Sequence, residues 1–182
     1  MIVGRRTFLK TAFAAAICLC GGEAFPAMRP AEGARDGALS LYNTHTSERL
    51  DVRFRDGEGQ FDPSALESVN RFLRCHYTQE VAPIDVRVIG FLETVAGALG
   101  GKRTIHVVSG YRSRAYNERL VREGRGVSPR SLHLSGMAID FRVPGVSSKA
   151  VAQTALSLRA GGVGFYPASD FVHIDSGRVR SW

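Results

Sequence analysis

Histidines and carboxylates stand inside segments of this chain that are otherwise apolar enough to be core. Residues 137–143 hold Asp140, and residues 171–175 hold His173 and Asp175. Unpaired polar groups are expensive in such places, so the fold must bring partners to them. Both segments read as strands, in which successive side chains point to opposite faces. In the first, Ala138, Asp140 and Arg142 share a face, opposite Ile139, Phe141 and Val143. In the second, Val172 and Ile174 face the core while Phe171, His173 and Asp175 face the other way. As neighbouring strands they present Asp140 and His173 to one cleft, and His133 arrives from the loop before Gly136.

The remaining elements surround these strands. Residues 39–56 show two alternating runs around a polar centre, a hairpin with its turn near Thr46–Arg49. Asp62 and Pro63 open a helix whose apolar face is Leu66, Val69, Phe72 and Leu73. A second helix runs from about Asp85 to Leu99, with Gly100 and Gly101 as its stop. A β-rich run at 104–110 leads into a helix over 115–122, and a further helix covers 148–160. Short strands over 163–166 and 171–175 complete the set. The order implies a single α+β domain, a small mixed or antiparallel sheet covered by helices.

The first residues do not belong to that domain. MIVGRRTFLK followed by TAFAAAICLCGG has the charged and then apolar layout of a secretory signal. Arg5 and Arg6 followed by Thr7, Phe8, Leu9 and Lys10 resemble the twin-arginine form, with cleavage near Ala24. The apolar stretch is too short to span a bilayer, and no stable membrane span is expected, although an uncleaved anchor stays open. The reading is therefore a signal over 1–24, a flexible lead-in rich in Pro, Gly and Ala over 25–38, and the domain over 39–182. Export places the chain in the periplasm. With Cys18 and Cys20 removed, Cys75 stands alone in an apolar segment, a small core residue with no intrachain disulfide to make.

The formal charge of +7 invites a nucleic-acid reading, but only three of the 24 basic residues are lysine and the arginines are scattered rather than striped. No nucleic-acid partner is expected. A basic surface equally favours an anionic envelope polymer.

Two imidazoles, one carboxylate and an open fourth position make a catalytic zinc site, which is one reading of His133, Asp140 and His173. Spacing alone leaves others open. His133 could cap a backbone group, Asp140 could pair with Arg142 or Arg112, and His173 could be a satisfied core imidazole. His45, His76 and His106 read as structural.

The motif Ser131-x-His133-x-x-Gly136-x-Ala138-x-Asp140 follows Ser-Gly-Tyr-Arg-Ser at 109–113 and precedes Val172-His173. Together these resemble the zinc D-alanyl-D-alanine peptidases, the LAS metallopeptidases, a group of VanX-type dipeptidases, phage endolysins and murein endopeptidases. The run from Leu39 to Thr46, the segment Gly161–Pro167 and the terminal Val179-Arg180-x-Trp182 extend the likeness to an exported murein endopeptidase branch. The resemblance implies the hedgehog/D-Ala-D-Ala peptidase fold over residues 39–182. It implies zinc on His133, Asp140 and His173, with Arg112 holding substrate and the developing oxyanion, and Ser131 near the substrate's peptide or carboxylate group. The general base of the group lies three residues before the last ligand, at Asp170. Asp175, on the face of His173, is the competitor, as base or as partner to an imidazole.

The activity so implied is hydrolysis of peptide cross-links in peptidoglycan, at bonds to the amino group of meso-diaminopimelate. A D,D-carboxypeptidase trimming terminal D-Ala is the alternative enzyme, and a non-catalytic murein-binding module the alternative of another class.

Overall fold

The computed structural model describes residues 37–101 and 103–182. The expected signal at 1–24 and the lead-in as far as residue 36 lie outside the described residues. Strand β1 (Ala38–Asn43) and strand β2 (Arg49–Arg53) form the hairpin. They are followed by helix α1 (Pro63–Phe72), helix α2 (Val86–Ala98) and strand β3 (Thr104–Ser109). Helix α3 (Arg114–Arg122), a 3-10 turn at Leu132–Ser135 and strand β4 (Ala138–Arg142) carry the chain across the sheet. Helix α4 (Ser148–Leu158), strand β5 (Gly162–Tyr166), strand β6 (Phe171–Asp175) and the short strand β7 (Arg180–Ser181) complete the domain.

The seven strands run in the order β2-β1-β3-β4-β6-β5-β7. β1 pairs parallel with β3, and β5 with β7, while the other pairs are antiparallel. The sheet is mixed, one of the two forms the α+β reading allowed. Its alternation sorts the faces: Leu41, Ile105, Ile139, Phe141, Val172 and Ile174 join a buried cluster with Val69, Val88, Leu92 and Val95 of α1 and α2 and Val151 of α4. Burying these side chains on one face leaves the other face of β4 and β6 to Asp140 and His173. β6 departs from the one-sided pattern, because Val172, His173, Ile174 and Asp175 are all buried.

Helix starts follow side-chain chemistry. Asp62 accepts from the Ser64 and Ala65 amides ahead of Pro63, and Ser113 and Ser147 cap α3 and α4. Asp85 does more than cap α2. Its carboxylate accepts from Arg87 N–H (2.9 Å) and Ser176 Oγ–H (2.8 Å), and its own N–H donates to the Gly136 carbonyl (2.9 Å). It thereby ties α2 to the turn that follows His133 and to the residue after Asp175. Gly136 itself has φ +65°, and a Cβ there would collide with the Pro83 carbonyl oxygen, so only glycine suits this turn.

Arg87, with a smaller contribution from Ser176, holds the Asp85 carboxyl down at about 2 against the opposing effect of burial. A depressed carboxylate stabilises the fold above its unfolded value of about 3.9, and that contribution is lost as the pH falls toward the folded value. Asp85→Asn is therefore expected to flatten the loss of unfolding free energy between about pH 4 and pH 2, measured by denaturant titration at a series of pH values. An unchanged slope in the variant would contradict this assignment.

Candidate active site

β4 and β6 lie side by side with Asp140 directly opposite His173 in register. His133 enters from the 3-10 turn, which Gly136 closes in the left-handed conformation. The turn is held against the end of β3 by the Arg112 N–H donating to the His133 carbonyl (3.1 Å). All three side chains are buried: His133 is 2%, Asp140 6% and His173 8% exposed.

Their polar atoms converge. His133 Nε2 lies 3.1 Å from Asp140 Oδ1 and 3.2 Å from His173 Nδ1, and His173 Nδ1 lies 2.8 Å from the same oxygen. These three residues form the one cluster of metal-ligand type among the described residues, with donor atoms all within 4.8 Å. Ligands at the corners of a tetrahedron, on bonds of about 2.0–2.1 Å, stand about 3.3 Å apart. A divalent metal therefore fits the donor set with only a small outward movement.

The far side of each imidazole fixes which nitrogen faces the cluster. His133 Nδ1–H donates to the Gly110 carbonyl at 2.7 Å, leaving Nε2 for a metal. His173 Nε2–H donates to Asp175 Oδ2 at 3.1 Å, leaving Nδ1. Such outer partners orient metal-binding histidines and set their tautomer. His133 thus does make the backbone contact that spacing alone had offered as an alternative, and its other nitrogen still points inward.

The electrostatics follow from burial and these contacts. Burial works to raise the Asp140 carboxyl, but His133 and His173 beside it prevail and keep it below its ordinary value. Burial works to lower His173, and the hydrogen bonds to Asp140 and Asp175 outweigh it, so its value is raised. Asp175 is depressed despite burial, by His173 and Arg180.

Asp175 is fully buried and its oxygens are engaged. Oδ2 accepts from His173 Nε2 and Arg180 Nη2 (2.7 Å), and Oδ1 from Arg180 Nη1 (2.9 Å), Gly177 N (2.9 Å) and Gly162 N (3.3 Å). Of the two roles open to it, orienting His173 suits this geometry. Taking a proton from water does not, because five donors already saturate the carboxylate. Asp170 sits in the turn before β6, exposed, at φ 49°. That is the placement a carboxylate needs if it is to escape strict alternation with His173.

Arg112 is 7% exposed and reaches Asp140 Oδ2 at 3.5 Å and Asn117 Oδ1 at 3.3 Å. Its Nε has no hydrogen-bond partner among the described residues. A buried guanidinium so incompletely satisfied has donors to spare for an incoming carbonyl or carboxylate. Ser131 occupies the cap position of the 3-10 turn, where its side chain makes no capping bond. His45 and His76 stack on each other at 3.8 Å, His106 packs by Tyr42, and Cys75 is a free buried thiol. None of the four joins the cluster.

Sequence reading missed Asn117, which links Arg112 to the Ser128 carbonyl, and the Gly110 carbonyl that orients His133. It also missed Arg180 as the partner of Asp175. A backbone carbonyl carries no signal in a side-chain pattern, whereas Arg180 stood within a motif already noted.

Residues 30–182 match the family model of the peptidoglycan L,D-endopeptidase MepK. The chain belongs to this family. It is 38% identical over 157 residues to the peptidoglycan L,D-endopeptidase MepK of Escherichia coli (strain K12), covering 86% of each chain. A probable peptidoglycan L,D-endopeptidase MepK of Haemophilus influenzae is 39% identical over 145 residues, 79% of this chain and 77% of the relative. The Shigella flexneri MepK matches at 38% over 157 residues.

Asp175→Ala removes the orienting carboxylate and leaves the metal-facing atoms in place. Metal affinity is expected to fall about 10- to 100-fold, read by competition with a chromophoric chelator. Unchanged affinity would show that Asp175 does not orient His173.

Proposed function

We propose that this chain is an exported, zinc-dependent murein endopeptidase that hydrolyses peptide cross-links of peptidoglycan at diaminopimelate. The observation that carries this reading is the convergence of His133 Nε2, Asp140 Oδ1 and His173 Nδ1 beside the buried Arg112. The relatives' names support an L,D bond as the one cut. Among the described residues no helix is long and apolar enough to cross a membrane. The twin-arginine-type segment at 1–24 supports export to the periplasm.

His133, Asp140 and His173 would hold the zinc. Bound there, the metal supplies a Lewis acid for the scissile carbonyl and acidifies water at neutral pH. The chain's own residues do the rest. Arg112 offers its unpaired Nε–H and its fork of donors to the substrate carbonyl as negative charge grows on the oxygen. Asp170 takes a proton from the attacking water and returns it to the leaving amine. Asp175, clamped by Arg180, keeps His173 in the orientation that exposes Nδ1. Ser131, with its hydroxyl uncommitted to the turn, holds the substrate's peptide or carboxylate group.

Digestion of purified sacculi, with and without a chelator and read by mass, tests the reading. Loss of cross-linked dimers that the chelator blocks and zinc restores is expected. Release of terminal D-Ala alone would make the enzyme a carboxypeptidase. Zinc-loaded protein that binds sacculi but yields no product would make it a binding module. In the same assay Arg112→Lys, which keeps the charge but loses the fork, is expected to lower kcat/KM about 10²- to 10³-fold.

A further inference from the structure

Trp182 is 51% exposed, yet it is held as firmly as a core residue. Its backbone N–H donates to the Val163 carbonyl (3.3 Å), and its carbonyl accepts from Phe165 N–H (3.1 Å). The indole N–H donates to the Tyr166 hydroxyl at 2.8 Å, and Tyr166 is itself stacked on Phe171 with ring centroids 4.6 Å apart. The Arg180 guanidinium lies over the indole at 4.8 Å, and both of its terminal nitrogens are anchored on Asp175. The backbone beneath has been cleared for the ring, since a Cβ on Gly164 would come within 2.7–2.8 Å of indole atoms. Gly164 stands opposite His173 in the β5–β6 register. The indole consequently lies beside the metal-facing imidazole, with centroids 5.2 Å apart.

Singly exposed apolar side chains are ordinary on a protein surface. One fixed by four separate interactions, with half its surface open next to the reaction centre, is not. Shielding His173 from water would be served by a ring buried over it. We propose that Trp182 is a substrate-contacting residue that sets specificity, packing against the aliphatic side chain of the diamino acid next to the scissile bond. The class of contact follows from what the indole has left to offer. Its only donor is committed to Tyr166, so the open surface provides apolar and CH–π contact, which suits a run of methylenes better than a charged or hydroxylated group. This inference rests on the murein endopeptidase reading and names one wall of that same site.

The test uses the fact that Trp182 is the sole tryptophan of the sequence, so intrinsic emission reports on this position alone. On rapid mixing of the zinc-loaded protein with a purified cross-linked muropeptide, a saturable change in emission is expected before turnover. Trp182→Ala is expected to raise KM about five- to tenfold, the worth of one aromatic contact. kcat should change less than about twofold, since the contact is equal in ground and transition states. Zinc content should be unchanged, and Trp182→Phe should recover most of the loss while Trp182→Ser does not. Cleavage with no change in emission overturns the proposal. So does a Trp182→Ala protein that loses zinc or kcat at unaltered KM, which would make the ring a cover for His173. If the unmutated protein neither cleaves nor binds the muropeptide, the endopeptidase reading fails first and takes this inference with it.

Discussion

Asp140 and His173 face each other across β4 and β6 where the sheet is most deeply buried, and much of the domain is arranged to make that placement tolerable. A carboxylate and an imidazole taken out of water lose hydration worth several kcal/mol each, which only close partners can offset. Here the partners come from every side. His133 descends from a 3-10 turn, Arg112 from the end of β3, and Asp175 from two residues along β6. Two of the newcomers are in turn satisfied, His133 by the Gly110 carbonyl and Asp175 by Arg180 and two backbone amides, while Arg112 is held by Asn117 and keeps its Nε–H unpaired. The result is a polar network inside an otherwise apolar sheet, with three donor atoms aimed at one point.

The scaffold explains why the aim is good. Residues on paired central strands have little freedom, so Asp140 and His173 are set by register rather than by loop conformation. The third donor, His133, comes from a loop, and there the chain adds restraint. Gly136 turns the backbone, Asp85 binds its carbonyl, and Ser176 links the same carboxylate to the end of β6. Sites on rigid elements hold their geometry better than sites on loops, and this one uses both by pinning its loop at two ends.

Much of this was legible in the sequence, for identifiable reasons. The strand period is two, so once 137–143 and 171–175 are read as strands, Asp140 and His173 must each face away from their apolar neighbours. Likewise the Asp62-Pro63 start of α1 is local chemistry that tertiary context rarely overrides. What escaped depends on contacts distant in sequence. Parallel pairing of β1 with β3 joins residues some sixty positions apart, and nothing in either run states it. The burial of Asp175 was hidden because its partner Arg180 lies beyond a turn, on the strand β7, whose two residues are too few to show a period. Alternation placed Asp175 beside His173 correctly but could not tell a base from an orienting group, a distinction that rests on how many donors reach its oxygens.

The central claim is that this network exists to hold a metal through His133 Nε2, Asp140 and His173 Nδ1. X-ray absorption at the zinc edge, on purified full-length protein loaded with one equivalent of zinc, tests it most directly. The account predicts a low-coordinate shell of nitrogen and oxygen at about 2.0–2.2 Å with two imidazole signatures and no sulfur. The imidazole signature should be reduced by half in His173→Ala. A sulfur shell from Cys75, or a spectrum unchanged by that substitution, would contradict it.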